Sequence, residues 1–260
     1  MLILMVVAAG GIFAPLVAAH NPYDMDLTKK LQPPSPEYIM GTDHMGRCIF
    51  SRILYAARAT LGYAVVCTVA AAALGITLGM IAGYVGGALD AVIMRICDVL
   101  YGFPSLVLTL VIISFLGPGI FNVVIAQLLL QWLWYARVTR NLAQSERKRT
   151  YIAAAVLCGS SPFKIIFTHL LPNIIPQMLA IITVDFGHTI LSISGYSFLG
   201  LGVQPPSPEW GAMINEGRRY INSAPFMMFW PGMMILLTVV CMNILGDNMR
   251  DTLDTENIRL

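Results

Sequence analysis

The stretch LGYAVVCTVAAAALGITLGMIAG, residues 61–83, decides the fold class. It contains no Asp, Glu, Lys or Arg, and it exceeds the about 20 apolar residues that a helix needs to cross the hydrocarbon core of a membrane. Its glycines Gly75, Gly79 and Gly83 recur every fourth residue, and small residues let helices approach closely in lipid. We therefore predict a tightly packed membrane-spanning helix here.

The composition of the whole chain agrees with a membrane protein. Hydrophobic residues make up 57% of the sequence and charged residues only 12%, and the mean hydropathy is +0.72. A soluble domain averages about a quarter charged residues, which it needs to cover its surface. The five cysteines show no paired spacing, so we expect neither a disulfide framework nor a zinc site. These numbers exclude an ordinary soluble enzyme.

Further apolar runs resemble residues 61–83, and together they predict an all-α membrane protein with six spans. The predicted spans are residues 1–19, 61–83, 91–116, 120–135, 173–202 and 229–245. The first run could instead be a secretory signal peptide, because Val17, Ala18 and Ala19 resemble a cleavage site. A signal peptide begins with a positively charged region, which this run lacks. We therefore expect a first span.

The basic residues predict the orientation of the spans. Residues 137–172 carry the densest basic excess, and loops rich in Lys and Arg stay in the cytoplasm. Both termini are then cytoplasmic, and the polar residues 20–58 and 203–226 lie outside. The chain divides into a first span (1–19), an extracellular loop ending in an amphipathic segment (20–58) and a core of five spans (59–260). The basic residues of the cytoplasmic segment are Arg137, Arg140, Arg147, Lys148, Arg149 and Lys164, against Glu146.

The cytoplasmic segment TYIAAAVLCGSSPFKIIFTHLLPN, residues 150–173, predicts two short helices broken at Gly159. Ser161 can cap the second helix, and Pro162 suits its first position. We expect apolar side chains to line one face of that helix. Such a segment could be a connector on the membrane surface or a docking element for another protein, and its residues alone favour neither. The predicted face consists of Phe163, Ile166, Phe167 and Leu170.

The same segment resembles the EAA loop of ABC-importer permeases, which begins with an acidic residue and two alanines and ends in Leu-Pro. Ala154, Ala155 and Gly159 match this pattern, as do Leu171 and Pro172, whereas Ala153 stands at the usual acidic position. The resemblance implies a contact with a cytoplasmic ATPase. The residues it implicates are Ala153, Ala154, Ala155, Gly159, Ser161, Pro162, Phe163, His169, Leu171 and Pro172.

Other segments resemble the dipeptide, oligopeptide and nickel branch of these permeases. They are GTDHMGRCIFSRILYAAR (residues 41–58), in which Cys48 replaces the usual Asp, and SFLGLGVQPPSPEWGAMI (residues 197–214). The segments QWLWYARVTR (131–140) and DFGH (185–188) are most similar to the nickel, or metallophore, second permease subunit. The resemblance implies an importer of nickel, a metal chelate or a small peptide in the bacterial plasma (inner) membrane.

The resemblance also implies the composition of the complex. A second homologous permease subunit, two cytoplasmic ATP-binding subunits and an extracellular or periplasmic substrate-binding protein are expected partners, besides membrane lipid. The chain has no Gly-x-x-x-x-Gly-Lys-Ser/Thr motif, so it does not bind ATP through a P-loop. We therefore expect a non-enzymatic pore subunit without a cofactor, and ATP and Mg²⁺ in the partner ATPases.

Asp185 and His188 are candidates for the translocation path. They lie three residues apart on one face of the fifth span, with Ser192 one turn further, and ionisable groups within a span are costly and commonly functional. The alternative is a buried Asp–His pair that only holds helices together. We expect no metal site, because two ligands bind a metal poorly. A secondary transporter is the rival function, but it usually requires more intramembrane charges and internal repeats.

Overall fold

The computed structural model describes residues 2–258, and the prediction of an all-α membrane fold is confirmed. A short helical turn at Ala14–Val17 follows the first helix, and a 3₁₀ turn at Leu27–Lys29 lies in the polar segment after it. The helices are α1 (Leu2–Ile12), α2 (Ile49–Val85), α3 (Gly87–Tyr101), α4 (Ser105–Leu116), α5 (Ile120–Arg147), α6 (Thr150–Leu157), α7 (Pro162–Phe198), α8 (Trp210–Gly217) and α9 (Phe226–Ile258).

The described chain forms two compact units. The first unit comprises Met1–Val66, Ile113–Val124 and Val184–Leu245, and the second comprises Cys67–Ile112, Ile125–Thr183 and Gly246–Leu260. The first unit therefore holds the predicted outer segments and path residues. The second holds residues 150–172, the predicted cytoplasmic contact with the ATPase, which we call the coupling segment.

Within residues 2–258, three helices are long and apolar enough to span a membrane: Ile49–Val85, Pro162–Phe198 and Phe226–Thr252. The number rises to four if α3 and α4 form one broken span. Helix α1 is apolar but has only 11 residues, which is short for a span of about 20 residues. The prediction of six spans thus stays a prediction.

The third predicted span, residues 91–116, is not a straight helix. Helices α3 and α4 meet at an angle of 86°. The break lies at Gly102, Phe103 and Pro104, where the proline disfavours helical backbone at the residue before it. We therefore correct this span to a bent pair.

In the first unit, small residues bring α1 against α2. A side chain added at Gly10 would lie 3.2 Å from Leu54, and one at Gly11 would lie 3.0 Å from the backbone nitrogen of Arg58. The polar segment after α1 ends at Ile49, where α2 begins and continues without interruption into the predicted second span. The expected helical end of residues 20–58 is thus the first part of α2.

In the second unit, the glycines of residues 61–83 pack on α5 as predicted. Added side chains at Gly75 and Gly83 would lie 2.5 and 2.6 Å from the carbonyl oxygens of Trp132 and Arg140, closer than any real side chain packs. Alanine at either position would force α2 and α5 apart. These glycines therefore set the distance between the two helices.

Ion pairs also join helices of the second unit. The Arg140 guanidinium binds the Asp90 carboxylate through two hydrogen bonds of 2.5 and 2.8 Å. Asp98 accepts a hydrogen bond of 2.6 Å from Arg137. Arg95 and Asp98 lie three residues apart in α3, a spacing that allows a pair within the helix, but Asp98 instead binds across to α5. The arginines at 137 and 140 belong to α5, which runs to Arg147, and not to a loop.

Candidate functional site

The coupling segment, residues 150–172, breaks at Gly159 as the sequence predicts. Helix α6 ends at Leu157, and Gly159 has a φ of +77°. The Gly159 N–H donates to the Val156 carbonyl (2.9 Å) and the Ser160 N–H to the Ala155 carbonyl (3.1 Å), the pattern of a Schellman C-cap. The glycine thus reverses the chain sharply.

The start of the second helix also agrees with the prediction. The Ser161 hydroxyl accepts a hydrogen bond of 3.3 Å from the Lys164 backbone nitrogen, and Pro162 occupies the first position. This helix is not short, however. It continues as α7 to Phe198, which is one of the three span-length helices. The coupling segment is therefore continuous with a helix of membrane-spanning length.

The predicted apolar face of Phe163, Ile166, Phe167 and Leu170 is wrong. Residues Ile165–Leu170 form a π-helical turn, in which side chains no longer follow the α-helical spacing. Ile166 and Leu170 are buried in the core of the second unit, whereas Phe163 and Phe167 are exposed. The turn therefore separates the four side chains into an inner and an outer pair.

The outer side of the coupling segment is an exposed apolar surface, which we call the docking face. Its rings, Phe163 and Phe167, lie 4.5 Å apart between centroids. Leu157 and Phe163 have exposed fractions of 88% and 71%, which is extreme for large apolar side chains. Exposed apolar patches of this kind mark contacts with other proteins or with lipid. The docking face consists of Val156, Leu157, Phe163 and Phe167.

The other residues that the resemblance to the EAA loop implicates lie either at the exposed surface or against the core of the second unit. Ala153 and Ala154 are exposed, as are Ser161, Pro162 and Pro172. Partly buried residues hold the segment on the second unit: Ala155 and Leu171 pack on its apolar core, and the His169 ring lies 6.5 Å from the Tyr151 ring.

A group of hydrogen-bonded side chains lies beside the coupling segment, and the sequence did not indicate it. The Tyr151 hydroxyl donates to the Glu146 carboxylate (2.7 Å) and accepts from the Asn173 side chain (3.0 Å). Tyr151 and Asn173 lie at the two ends of residues 150–173, 22 positions apart. No spacing rule pairs them, so only the fold shows the contact.

The path candidates lie on α7 within the first unit. His188 is exposed, whereas Asp185 and Ser192 are half-buried. The path and the helix-packing interpretations of these residues both stay predictions. The Asn243 side-chain oxygen lies 3.3 Å from the position of a side chain added at Gly187, and it is a buried acceptor without a hydrogen bond in the described chain. Asn243 is therefore a polar neighbour that the sequence did not indicate.

The outer segments of the first unit meet in a buried ionic cluster of Asp43, Arg47, Arg52 and Glu216. Arg47 binds Asp43 at 2.6 Å and Glu216 at 2.8 Å, and Arg52 binds Glu216 at 3.1 Å. At most 14% of any of these side chains is exposed. The cluster fastens the start of α2 to α8.

His44 adds a third possible metal ligand to two residues of the ionic cluster. Ligand atoms of Asp43, His44 and Glu216 lie within 4.8 Å of one another, and burial lowers the pKa of His44. However, Arg47 and Arg52 already neutralise both carboxylates. A divalent cation would meet two adjacent guanidinium groups, so the cluster fits a structural role better than metal binding.

A second buried carboxylate fixes α8 from its other end. Glu209 is fully buried and caps α8 by accepting from the Ala212 backbone nitrogen at 2.9 Å. It also accepts hydrogen bonds from Thr60 of α2 (3.0 Å) and Ser194 of α7 (3.3 Å). The segment SPEWG of the sequence motif is thus a structural anchor.

Residues 75–256 match the family described as binding-protein-dependent transport system inner membrane component. The chain belongs to this family. It is 41% identical over 235 residues to the nickel transport system permease protein NikC of Escherichia coli, covering 90% of this chain and 85% of NikC. It is 40% identical over 243 residues to the dipeptide transport system permease protein DppC of Alkalihalophilus pseudofirmus, covering 94% and 80%.

Two further comparisons extend the family assignment. The probable D,D-dipeptide transport system permease protein DdpC of Escherichia coli is 40% identical over 243 residues, covering 94% of this chain and 82% of DdpC. A solved structure of the MetNI methionine ABC transporter in inward-facing conformations has a TM-score of 0.60. That match is 18% identical and covers 74% of this chain and 92% of the MetNI chain, so it shows a shared fold.

The predicted identity as an ABC-importer permease is confirmed, and the secondary-transporter alternative is not favoured. The protein is a multi-pass membrane permease, and its relatives are named as permeases, which are transport components. Permeases of this family work with ATPase and substrate-binding partners. The roles predicted for individual residues stay predictions.

Proposed function

We propose that this permease converts ATP hydrolysis in two cytoplasmic ATP-binding subunits into import, by movement of the coupling segment. The docking face carries this proposal, because it is apolar, exposed and continuous with a membrane-spanning helix. Closure of the ATPases would push on this face, and the spans would expose the path alternately to each side. ATP and Mg²⁺ would be bound by the partner subunits, and this chain would hold no cofactor.

The orientation follows from the charge next to the docking face. Arg147, Lys148, Arg149 and Lys164 are all exposed, and exposed basic residues at span ends favour the cytoplasm. We propose that the coupling segment and both termini are cytoplasmic. The ionic cluster and α8 then face the outside, where a substrate-binding protein would deliver the cargo. A second homologous permease subunit would complete the pathway in the bacterial inner membrane.

The proposed cargo is nickel, a metal chelate or a small peptide, since the relatives are named for nickel, dipeptide and D,D-dipeptide transport. The test is uptake into proteoliposomes that hold the complete importer with its binding protein. We expect ATP-dependent uptake of one cargo among nickel, nickel–histidine and a dipeptide. An ATPase subunit with its P-loop lysine replaced should give no uptake. Uptake driven by an ion gradient without ATP would contradict the proposal.

We further propose that Asp185, His188 and Ser192 line the translocation path. Their partial or full exposure on one face of α7 supports this assignment, since polar groups in a span usually face protein or water. Asn243 and Gly187 would border the same stretch.

The double change Asp185→Asn with His188→Gln distinguishes a path from a packing pair. If the residues line the path, the double variant should lose roughly tenfold of its uptake, equivalent to about 1.4 kcal/mol, at a normal protein level. A packing pair predicts instead that the double change restores what either single change lost. The measurement is uptake per inserted protein, with Asp24→Asn in the exposed outer segment as the control for charge loss. Uptake at the parent level in the double variant would contradict the path assignment.

A further inference from the structure

The Tyr151 hydroxyl joins three helices of the second unit. Glu146 lies in the last turn of α5, Tyr151 in the first turn of α6, and Asn173 in α7 just after the π-helical turn. Besides its bond to Tyr151, the Asn173 amide nitrogen donates to the His169 carbonyl at 2.7 Å. The hydroxyl thus connects the helix that enters the coupling segment with the helix that leaves it.

The donor and the acceptor of each hydrogen bond in this group are determined by the chemistry of the side chains. The Glu146 carboxylate and the His169 carbonyl can only accept hydrogen bonds. Tyr151 must therefore donate to Glu146, and Asn173 must use its two N–H groups for Tyr151 and His169. Partial burial and the bond to Glu146 raise the pKa of Tyr151 to about 12, so the hydroxyl keeps its proton at physiological pH.

The group lies where the backbone of α7 is weakest. Pro172 and Pro176 have no N–H, so neither can donate to the carbonyl one turn before it. The adjoining π-helical turn already departs from α-helical bonding. Side-chain hydrogen bonds therefore stiffen a point at which the helix could otherwise bend.

We propose that Tyr151 is a positioning residue for energy coupling. It holds the coupling segment to α5 and α7 together, so that a push on the docking face moves both helices and is not absorbed by bending at Pro172. This inference rests on the proposed docking of an ATPase at the coupling segment. It adds the element that would transmit the force.

The change Tyr151→Phe tests this role, because it keeps the ring and removes both hydroxyl hydrogen bonds. In the complete reconstituted importer, the number of cargo molecules transported per ATP hydrolysed should fall about tenfold, as the loss of two hydrogen bonds permits. Binding of the ATPase subunit should be unchanged. Tyr84→Phe is the matched control, since Tyr84 also borders this core, but its hydroxyl has no hydrogen bond in the described chain. That control should keep the parent ratio.

Two further variants decide between this role and a structural one. Asn173→Leu should lower the same ratio, and its combination with Tyr151→Phe should cost less than the two single losses together, since both changes remove the bond between Asn173 and Tyr151. The inference is overturned if Tyr151→Phe transports as much cargo per ATP hydrolysed as the parent protein. It is also overturned if ATP hydrolysis and uptake fall in parallel. Docking itself is tested separately by Phe163→Ser. If that variant still binds the ATPase subunit normally, the proposed docking face is wrong whatever Tyr151→Phe does.

Discussion

Replacing Gly159 with valine should abolish transport and leave membrane insertion intact. The φ of +77° at this position lies in the left-handed region, which costs an ordinary residue about 1–2 kcal/mol and a β-branched residue more. Space is not the obstacle, since an added side chain would meet nothing within 4 Å. The backbone itself must change, which breaks the Schellman cap and displaces Leu157 from Phe163 across the docking face.

The expected result is a normal amount of inserted protein, weak co-purification of the ATPase subunit and uptake reduced at least roughly tenfold, the factor that about 1.4 kcal/mol produces. Gly159→Asn should retain much of the activity, because asparagine tolerates the left-handed region. Gly62→Val is the second control, as Gly62 lies in α2 with open space around it. Normal uptake in Gly159→Val would remove the case for this segment as the coupling element.

The second large effect is expected at the buried ionic cluster. The change Glu216→Gln leaves Arg47 and Arg52 with Asp43 as their only carboxylate partner in the cluster. Breaking a buried ion pair by removing one partner costs about 3–5 kcal/mol. We expect a correspondingly lower melting temperature for the purified protein in detergent, with the polar segment of residues 20–58 detaching from α8 first.

The matched control is Glu37→Gln on the outer segment of residues 20–58. Glu37 pairs with Lys29 at 2.8 Å, but its side chain is 61% exposed, and exposed ion pairs contribute little to stability. Both variants replace a glutamate with a glutamine, so the difference between their melting temperatures measures the effect of burial. Equal melting temperatures for both would show that the cluster does not hold the outer segments.

The sequence predicts well what depends on neighbouring residues. The break at Gly159 and the cap at Ser161 follow from local backbone preferences, and the structure contains both. The packing of Gly75 and Gly83 follows from the repeat of small residues along one helix face. Each of these features is decided within one or two turns of helix.

The sequence did not predict contacts between residues that are far apart along the chain, nor the π-helical turn. Glu216 binds Arg47 across 169 positions of the chain, and Asp98 binds Arg137 instead of its neighbour Arg95. The π-helical turn changed which side chains of α7 share a face, because a single wider turn shifts all later residues relative to earlier ones. A prediction that assumes a constant α-helical period along the chain cannot include that shift.

Cys158 permits the most direct test of ATPase docking at the coupling segment. It is exposed next to the docking face, whereas Cys48, Cys67 and Cys97 are buried. After Cys241→Ser removes the partly exposed thiol, a maleimide–benzophenone reagent can be attached at Cys158 in the complete importer and irradiated. We predict a covalent adduct with the ATP-binding subunit that disappears in Cys158→Ser. Adducts with lipid alone would contradict the docking face, and an adduct with the substrate-binding protein would contradict its cytoplasmic orientation as well.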